Sequence, residues 1–263
     1  MQASLSKNNE HKLKEKLDYH YNAFDKSRLS PDPLEFPHKF SKACDIECAA
    51  FISSIFAYGS VTQINNTLKK IFEIFGSHPY NYLTNTSGSG IKNDFKNINH
   101  RFYTPEDVSS LFTVLGKMLN EYGTLRELAV KYCNGKNGIK EIIGCFCSKL
   151  LNEFAIITPG VRFMFPLPEK GSACKRMNLF LRWMVRKDEL DFGLWSEIPA
   201  SCLIIPVDTH IAKISKSLKL TERKNVSWEM AAEITANLKK FDPDDPVKYD
   251  FALCHIGMRK LKF

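Results

Sequence analysis

Apolar residues recur along this chain at helical spacing and almost nowhere at alternate positions. Ile64, Leu68, Ile71, Phe72 and Phe75 fall on one stripe of a 3.6-residue period and Gly76 follows directly, so the spacing predicts a helix over 61–75 with a glycine stop. Residues 41–57 are apolar nearly all round, the pattern of a helix buried on every side. An earlier helix over 9–26 must end before Pro31, Pro33 and Pro37, because repeated prolines favour extended backbone. Thr104-Pro105-Glu106-Asp107 supplies a cap, a first-position proline and acids facing the positive end of the dipole, and so opens another helix. Further helices are expected over 124–133, 138–154, 173–186, 208–218, 227–241 and 246–258. Residues 77–102, rich in Gly, Asn and Ser, read as a connection partly ordered by Tyr80, Tyr82 and Phe95. The expectation is an all-α fold: a single intertwined two-lobed bundle, with one lobe near 41–205 and the other built from 1–40 and 206–263.

Composition narrows the class. Of 263 residues, 44% are hydrophobic and 25% charged, which is globular composition with ample length for a core. The formal net charge of +8 makes polyanions the expected partners. The longest apolar stretches, 49–57 and 203–207, fall well short of the roughly 20 residues that a spanning helix needs, so no membrane role is expected. The polar, lysine-rich residues 1–16 lack the apolar core of a secretory signal, and a cytoplasmic, nucleoid-associated monomer is expected. Eight cysteines (Cys44, Cys48, Cys133, Cys145, Cys147, Cys174, Cys202 and Cys254) include no C-x2-C pair, which argues against a metal site or disulfides and for reduced core thiols.

Two segments carry candidate chemistry. The first runs from Lys170 to Lys187 and holds Lys170, Lys175, Arg176, Arg182, Arg186 and Lys187 with no acid, preceded by Pro166-Leu167-Pro168 and interrupted by a Gly171-Ser172 turn. A small-residue turn at a helix start exposes N–H groups to phosphate, and the cations around it would release counterions from DNA. An ordinary solvated basic helix has the same composition. The second segment is Leu203-Ile204-Ile205-Pro206-Val207-Asp208-Thr209-His210, an apolar run delivering a carboxylate to a helix start. Asp208 there is a cap, a catalytic acid, or both.

Pro206-Val207-Asp208-Thr209-His210-Ile211-Ala212-Lys213-Ile214 resembles the signature of the endonuclease III superfamily of helix-hairpin-helix DNA glycosylases, in which a V-D-T-H segment supplies the catalytic aspartate. Leu167-Pro168-Glu169-Lys170-Gly171-Ser172-Ala173-Cys174-Lys175 resembles that superfamily's hairpin, which ends in a lysine that attacks the sugar. Phe56-Ala57-Tyr58 with 64–68, and Asp250-Phe251-Ala252-Leu253 through Gly257, resemble the early and late helices bordering the lesion pocket. The likeness covers about 45–258 and is greatest to a bacterial glycosylase-like branch. The Lys175-to-Asp208 spacing exceeds that of endonuclease III and is similar to that of archaeal 8-oxoguanine glycosylases. The hairpin departs from the family by lacking a G-V-G core and by its greater length, which bears on the monovalent cation that relatives bind there. No cysteine quartet follows Asp208, so no iron–sulfur cluster and no other cofactor is expected.

The resemblance implies base excision on double-stranded DNA containing damaged bases, an oxidised purine such as 8-oxoguanine first, with AP-lyase activity. A glycosylase extrudes the damaged base and stabilises the positive charge that develops on the deoxyribose as the base leaves. Lys175 would be the nucleophile, its pKa lowered by desolvation or by Lys170 and Arg176, and Asp208 would steer the amine and the sugar charge. Lys170, Gly171, Ser172, Arg176 and Arg182 would grip backbone; Tyr58 would stack in the vacated space or pack in the core; Asp250 would accept from a purine N–H or cap its helix; His210 would touch DNA or pack. Phe192 and Trp195 would line the pocket or anchor their loop. The competing readings are a non-catalytic nucleic-acid-binding protein that keeps the fold, and a structural helical bundle, which leaves the charge unexplained.

Overall fold

The computed structural model describes the backbone of residues 7–23, 25–133 and 138–259 and the side chains of 9–23, 25–131 and 138–254. The first six residues, Phe24 and the Cys133 thiol lie outside the described residues. Those described are helical with no strand; pairing is confined to isolated bridges at His100–Tyr103 and Lys187–Phe192. No helix among them is long and apolar enough to cross a membrane.

The chain divides into two compact units, one of residues 29–170 and one assembled from 1–28 and 171–263. The boundaries expected from sequence are therefore displaced: 29–40 cluster with the central residues and 171–205 with the termini. The second shift matters most, because it places Lys175 and Asp208 in the same unit.

The central unit is built on α2 (Ala43–Phe56), whose Cys48, Ala49, Ala50, Phe51, Ile52, Ile55 and Phe56 are all fully buried, as its unbroken apolar composition demands. Around it stand α3 (Val61–Phe75), α4 (Pro79–Asn85), α5 (Gly88–Asp94), α6 (Pro105–Tyr122), α7 (Leu125–Cys133), α8 (Ile139–Asn152) and α9 (Pro159–Met164). Helices α4 and α5 occupy the stretch read as a polar connection. Their sequences expose much polar surface, yet Pro79 sits in the first turn of α4, Ser87 caps α5 through Gly90 N at 3.2 Å, and Leu83 and Ile91 are buried. Two buried acids on α2 cap neighbouring helices: Asp45 accepts from Tyr80 N at 3.0 Å, and Glu47 from Leu125 N at 2.8 Å and Arg126 N at 3.0 Å. Thr104 caps α6 as expected, and Asp107 closes a capping box with it.

The terminal unit contains α1 (Lys7–Asn22), α10 (Lys175–Val185), α11 (Thr209–Ser217), α12 (Trp228–Leu238) and α13 (Asp250–Arg259). Helix α10 is nearly enclosed, with Met177, Phe180, Trp183 and Met184 buried, each contributing on the order of 1.5–3 kcal/mol by leaving water. Phe192 and Trp195 anchor the long loop that follows: their N–H groups donate to Trp183 O at 2.8 Å and Met184 O at 2.9 Å, and the Trp195 ring meets Phe180 edge to face at 5.1 Å.

Polar groups also cross this interior. Arg182 Nη1 lies 2.5 Å from Asp250 Oδ2 and its Nη2 3.1 Å from Asp191 Oδ1; Arg186 bonds the other Asp191 oxygen, Asp188 Oδ2 at 2.9 Å and Asp245 Oδ1 at 2.8 Å. Asp191 is buried and shared by both guanidiniums, so the cluster ties α10 to its following loop and to the start of α13. Arg182 and Arg186, read from sequence as part of a DNA-facing basic stripe, are thereby corrected to internal ion-pair partners. Truncating one member of a buried pair strands its partner's charge, so Asp191→Ala should lower stability by roughly 3–5 kcal/mol. Urea unfolding of wild type and variant measures it, and a loss under about 1 kcal/mol would show the cluster to be dispensable.

Candidate functional site

The hairpin region starts with a single 3-10 turn at Pro168–Lys170, continues through Gly171 at φ 81°, and reaches Cys174 in the left-handed region at φ 46°. Helix α10 begins at Lys175, two residues later than the apolar pattern suggests, because Ala173 and Cys174 complete the turn instead. Ser172 Oγ accepts from Cys174 N at 3.2 Å, Asn178 donates to Ala173 O at 3.0 Å, and Gly171 O accepts from Trp228 N at 3.1 Å, which fastens the turn to the start of α12. Cys174 supplies no side-chain cap, and the first residue of the helix is the lysine.

Asp208 is the N-cap of α11. Its Oδ1 accepts from His210 N and Ile211 N, both at 2.9 Å, while Oδ2 lies 3.1 Å from Lys175 Nζ. One carboxylate oxygen thus satisfies the helix start, as the cap reading expected, and the other is turned to an amine. The Lys175 side chain is 32% exposed and that of Asp208 19%, so both reach solvent.

Charge in the site favours an ammonium–carboxylate pair. Burial acts to lower the Lys175 pKa, but the negative charge of Asp208, with Cys254, the hydrogen bond to Asp208 and Asp250, outweighs it and the net shift is upward. Burial likewise acts to raise Asp208, but the Lys175 charge, the Ile211 N–H, the bond to Lys175 and His210 carry it below the usual carboxylate range. The lowered lysine pKa expected from sequence is therefore reversed in the free protein, because two carboxylates and no cation dominate its surroundings. Arg176, named as one source of that lowering, has its side chain buried along α10.

The remaining expected residues separate. His210 is exposed in the first turn of α11. Gly171 and Ser172 are half-buried and Lys170 exposed. Asp250 is buried at the start of α13 with one oxygen on Arg182, so it meets an internal cation rather than standing free for a base. Tyr58, in the central unit, is half-buried among His100, Tyr103 and Phe163, and its hydroxyl donates to His100 O at 2.6 Å. Of the expected run Lys187 is exposed, and further exposed cations of the terminal unit, Lys213, Lys216, Lys219 and Lys224, follow Asp208 along α11 and the next loop. The three-residue spacing of Lys213 and Lys216 on a helix that buries Ile211 and Ile214 was the available signal, outweighed by the richer Arg content of α10.

A cavity of about 340 Å³ in the terminal unit is lined by Tyr21, Arg182, Arg186, Asp188, Lys248 and Phe251 among others, with neither Lys175 nor Asp208 in its wall. The seven described cysteines are not disulfide-bonded, but only Cys48, Cys147 and Cys174 are buried; Cys145 and Cys202 are exposed and Cys44 and Cys254 intermediate, which corrects the reading of core thiols. Among the described residues no group of three or more His, Cys, Asp or Glu is placed to hold a metal ion.

Asp250 is pushed up to about 6, first by burial and against the pull of Arg182, with Asp208 and Asp191 adding like charge. A carboxyl with a raised folded pKa lends stability below its unfolded value near 4, and that contribution is lost as pH rises through about 6. Carbon-13 NMR of labelled aspartates should show one side-chain carboxyl titrating near 6 that disappears in Asp250→Asn; a midpoint below about 4 for that signal would contradict the electrostatics.

No curated protein and no solved structure matches the chain. A family model described as a protein of unknown function (DUF2400) matches residues 32–259, a span that includes Tyr58, Lys175, Asp208 and Asp250, and the chain belongs to that family.

Proposed function

We propose that the protein is a DNA base-excision glycosylase that works through a Schiff base at Lys175. The observation that carries this reading is the 3.1 Å approach of Lys175 Nζ to Asp208 Oδ2, between the first residue of one helix and the cap of another. Phosphate binding alone would not call for a carboxylate beside the lysine, since it weakens the local positive field. Resemblance to the helix-hairpin-helix glycosylases supports the same two residues. The two-lobed glycosylase architecture, double-stranded DNA with damaged bases as partner, and an oxidised purine as first lesion belong to this proposal.

In the proposed reaction Asp208 takes the ammonium proton, and the freed amine of Lys175 attacks C1′ of the deoxyribose. The N-glycosidic bond breaks, the base leaves with the bonding electrons and acquires a proton, and the sugar opens to an iminium with Lys175. Loss of a proton from C2′ then permits elimination of the 3′ phosphate, and water releases the enzyme. A bound sugar and phosphates exclude water from the pair, which lowers the cost of returning the proton to Asp208. The upward shift of Lys175 in the free protein favours a second reading, a non-catalytic nucleic-acid-binding protein in which the pair is a structural bridge.

Borohydride separates the two. With DNA carrying an abasic site or an oxidised purine, wild type should form a covalent adduct and Lys175→Gln should form none while keeping most of its DNA affinity. Asp208→Asn should fold normally, because asparagine caps about as well as aspartate, yet lose on the order of a hundredfold or more in turnover. An active Asp208→Asn enzyme, or trapping by Lys175→Gln, would overturn the assignment.

DNA affinity is expected to fall steeply with salt as phosphates are neutralised. Lys213→Glu with Lys216→Glu should weaken binding to any duplex, because backbone contacts carry no base information. Affinity that is flat between low and moderate salt would remove DNA as the partner.

A further inference from the structure

Away from the Lys175–Asp208 pair, the terminal unit holds its cavity of about 340 Å³, within the size range that takes a small molecule. The wall is drawn from α1 and the residues after it, from α10 and the loop that follows, and from the start of α13. Its own hydrogen bonds fix it. Asp188 Oδ1 accepts from Leu190 N and Asp191 N, both at 2.8 Å, which closes a tight turn in the loop. Asp188 Oδ2 takes the Tyr21 hydroxyl at 3.2 Å and Arg186 Nη2 at 2.9 Å, which ties that turn to α1 and to α10. Lys187 and Phe192 bridge its base, and Glu189 stands exposed at its tip.

The cations of the wall are all answered by carboxylates. Arg182 is bonded to Asp191 and Asp250, Arg186 to Asp188, Asp191 and Asp245, and Lys248 to Asp242 at 2.6 Å. The acids of the wall are not all answered by cations. Asp25 accepts from Ser27 N at 2.8 Å and from the Ser27 hydroxyl at 2.5 Å and lies near the Arg28 charge, yet forms no ion pair among the described residues. Glu189 forms none among them either. Three cations thus face Asp25, Asp188 and Glu189 in the wall and Asp191, Asp242, Asp245 and Asp250 behind it. Carboxylates predominate even with a proton on Asp250, so the cavity is acidic within a chain of net charge +8. The aromatic part of the wall also accepts positive charge: Lys248 Nζ lies 5.6 Å from the Tyr21 ring centre and 5.0 Å from that of Tyr249, and Arg182 Cζ lies 5.9 Å from that of Phe251.

We propose that this cavity binds a small organic cation of the diamine or polyamine class, with its ammonium groups on Asp25 and Glu189 and its methylene chain against Tyr21 and Phe251. Hydrogen bonds from ammonium to carboxylate are stronger than neutral ones, and alkyl stems pack well on apolar and aromatic surface. An acidic cleft concentrates cations that the rest of a basic surface repels. A phosphate or carboxylate ligand lacks this match, since each guanidinium in the wall is already bonded to aspartate. The site uses neither Lys175 nor Asp208, and it goes beyond the Schiff-base reading without resting on it.

The test is isothermal titration calorimetry of the full chain with putrescine and with spermidine at low salt. Wild type should show one saturable site. Asp25→Asn with Glu189→Gln removes both unanswered charges while keeping side-chain size and the acceptor for Ser27, and should weaken binding roughly tenfold. Glu222→Gln with Glu229→Gln removes equal charge at exposed positions of the same unit outside the wall, and should change binding by under about twofold. Circular dichroism checks that both double variants fold. No saturable uptake of either amine by wild type would overturn the proposal. Equal weakening by the two double variants would overturn it as well, because the attraction would then be diffuse. Saturable binding of inorganic phosphate or of free guanine, with neither amine bound, would give the cavity to another ligand class and likewise overturn it. Borohydride trapping at Lys175 is read separately, so failure here leaves the glycosylase reading as it stands.

Discussion

The terminal unit turns on a carboxylate shared by two buried guanidiniums. Asp191 bonds Arg182 and Arg186 at once, and each arginine goes on to a second segment: Arg182 to Asp250 on α13, Arg186 to Asp188 and to Asp245. An ion taken from water loses several kcal/mol of solvation, which is recovered only where geometry and partner count are good. The arrangement meets that condition and fixes one face of α10 against α13. Lys175 begins the same helix and Asp250 begins α13, so the cluster also sets which charges the lysine feels.

That constraint accounts for the state of the Lys175–Asp208 pair. A lysine beside two carboxylates is held as an ammonium, and a carboxylate receiving two helix N–H groups and an ammonium is held as an anion. Both shifts keep the proton on Lys175 in the free protein. Asp208 cannot be moved without unfastening α11, since its other oxygen caps that helix. Coupling a lysine-paired carboxylate to a helix start in this way fixes its orientation through backbone hydrogen bonds.

The central unit uses its buried acids differently. Asp45, Glu47 and Asp107 accept from backbone N–H groups at helix starts, and Asp107 from a threonine hydroxyl as well. On its surface Arg101 and Arg162 each directly precede an exposed aromatic ring, Phe102 and Phe163.

The helical fold was legible in the sequence wherever a period of 3.6 ran long enough: the stripe from Ile64 to Phe75, the apolar run of α2 and the Thr104 capping box all stand where the pattern puts them. Short α4 and α5 escaped it, because seven residues give two turns and too few apolar positions to establish a period. Asp208 as a helix cap beside an apolar run was legible for the same local reason, and its partnership with Lys175 was reached only through resemblance. What tertiary structure alone decided is the fate of the other charges. Composition counts Arg182 and Arg186 as surface cations and Asp250 as an acid free to meet a base, but their partners at Asp191 and Asp245 come from a loop and a turn that no periodicity aligns with α10. The sign of the Lys175 shift and the emergence of Phe102 into solvent were decided in the same way, since both depend on which segments fold against one another and not on spacing along the chain.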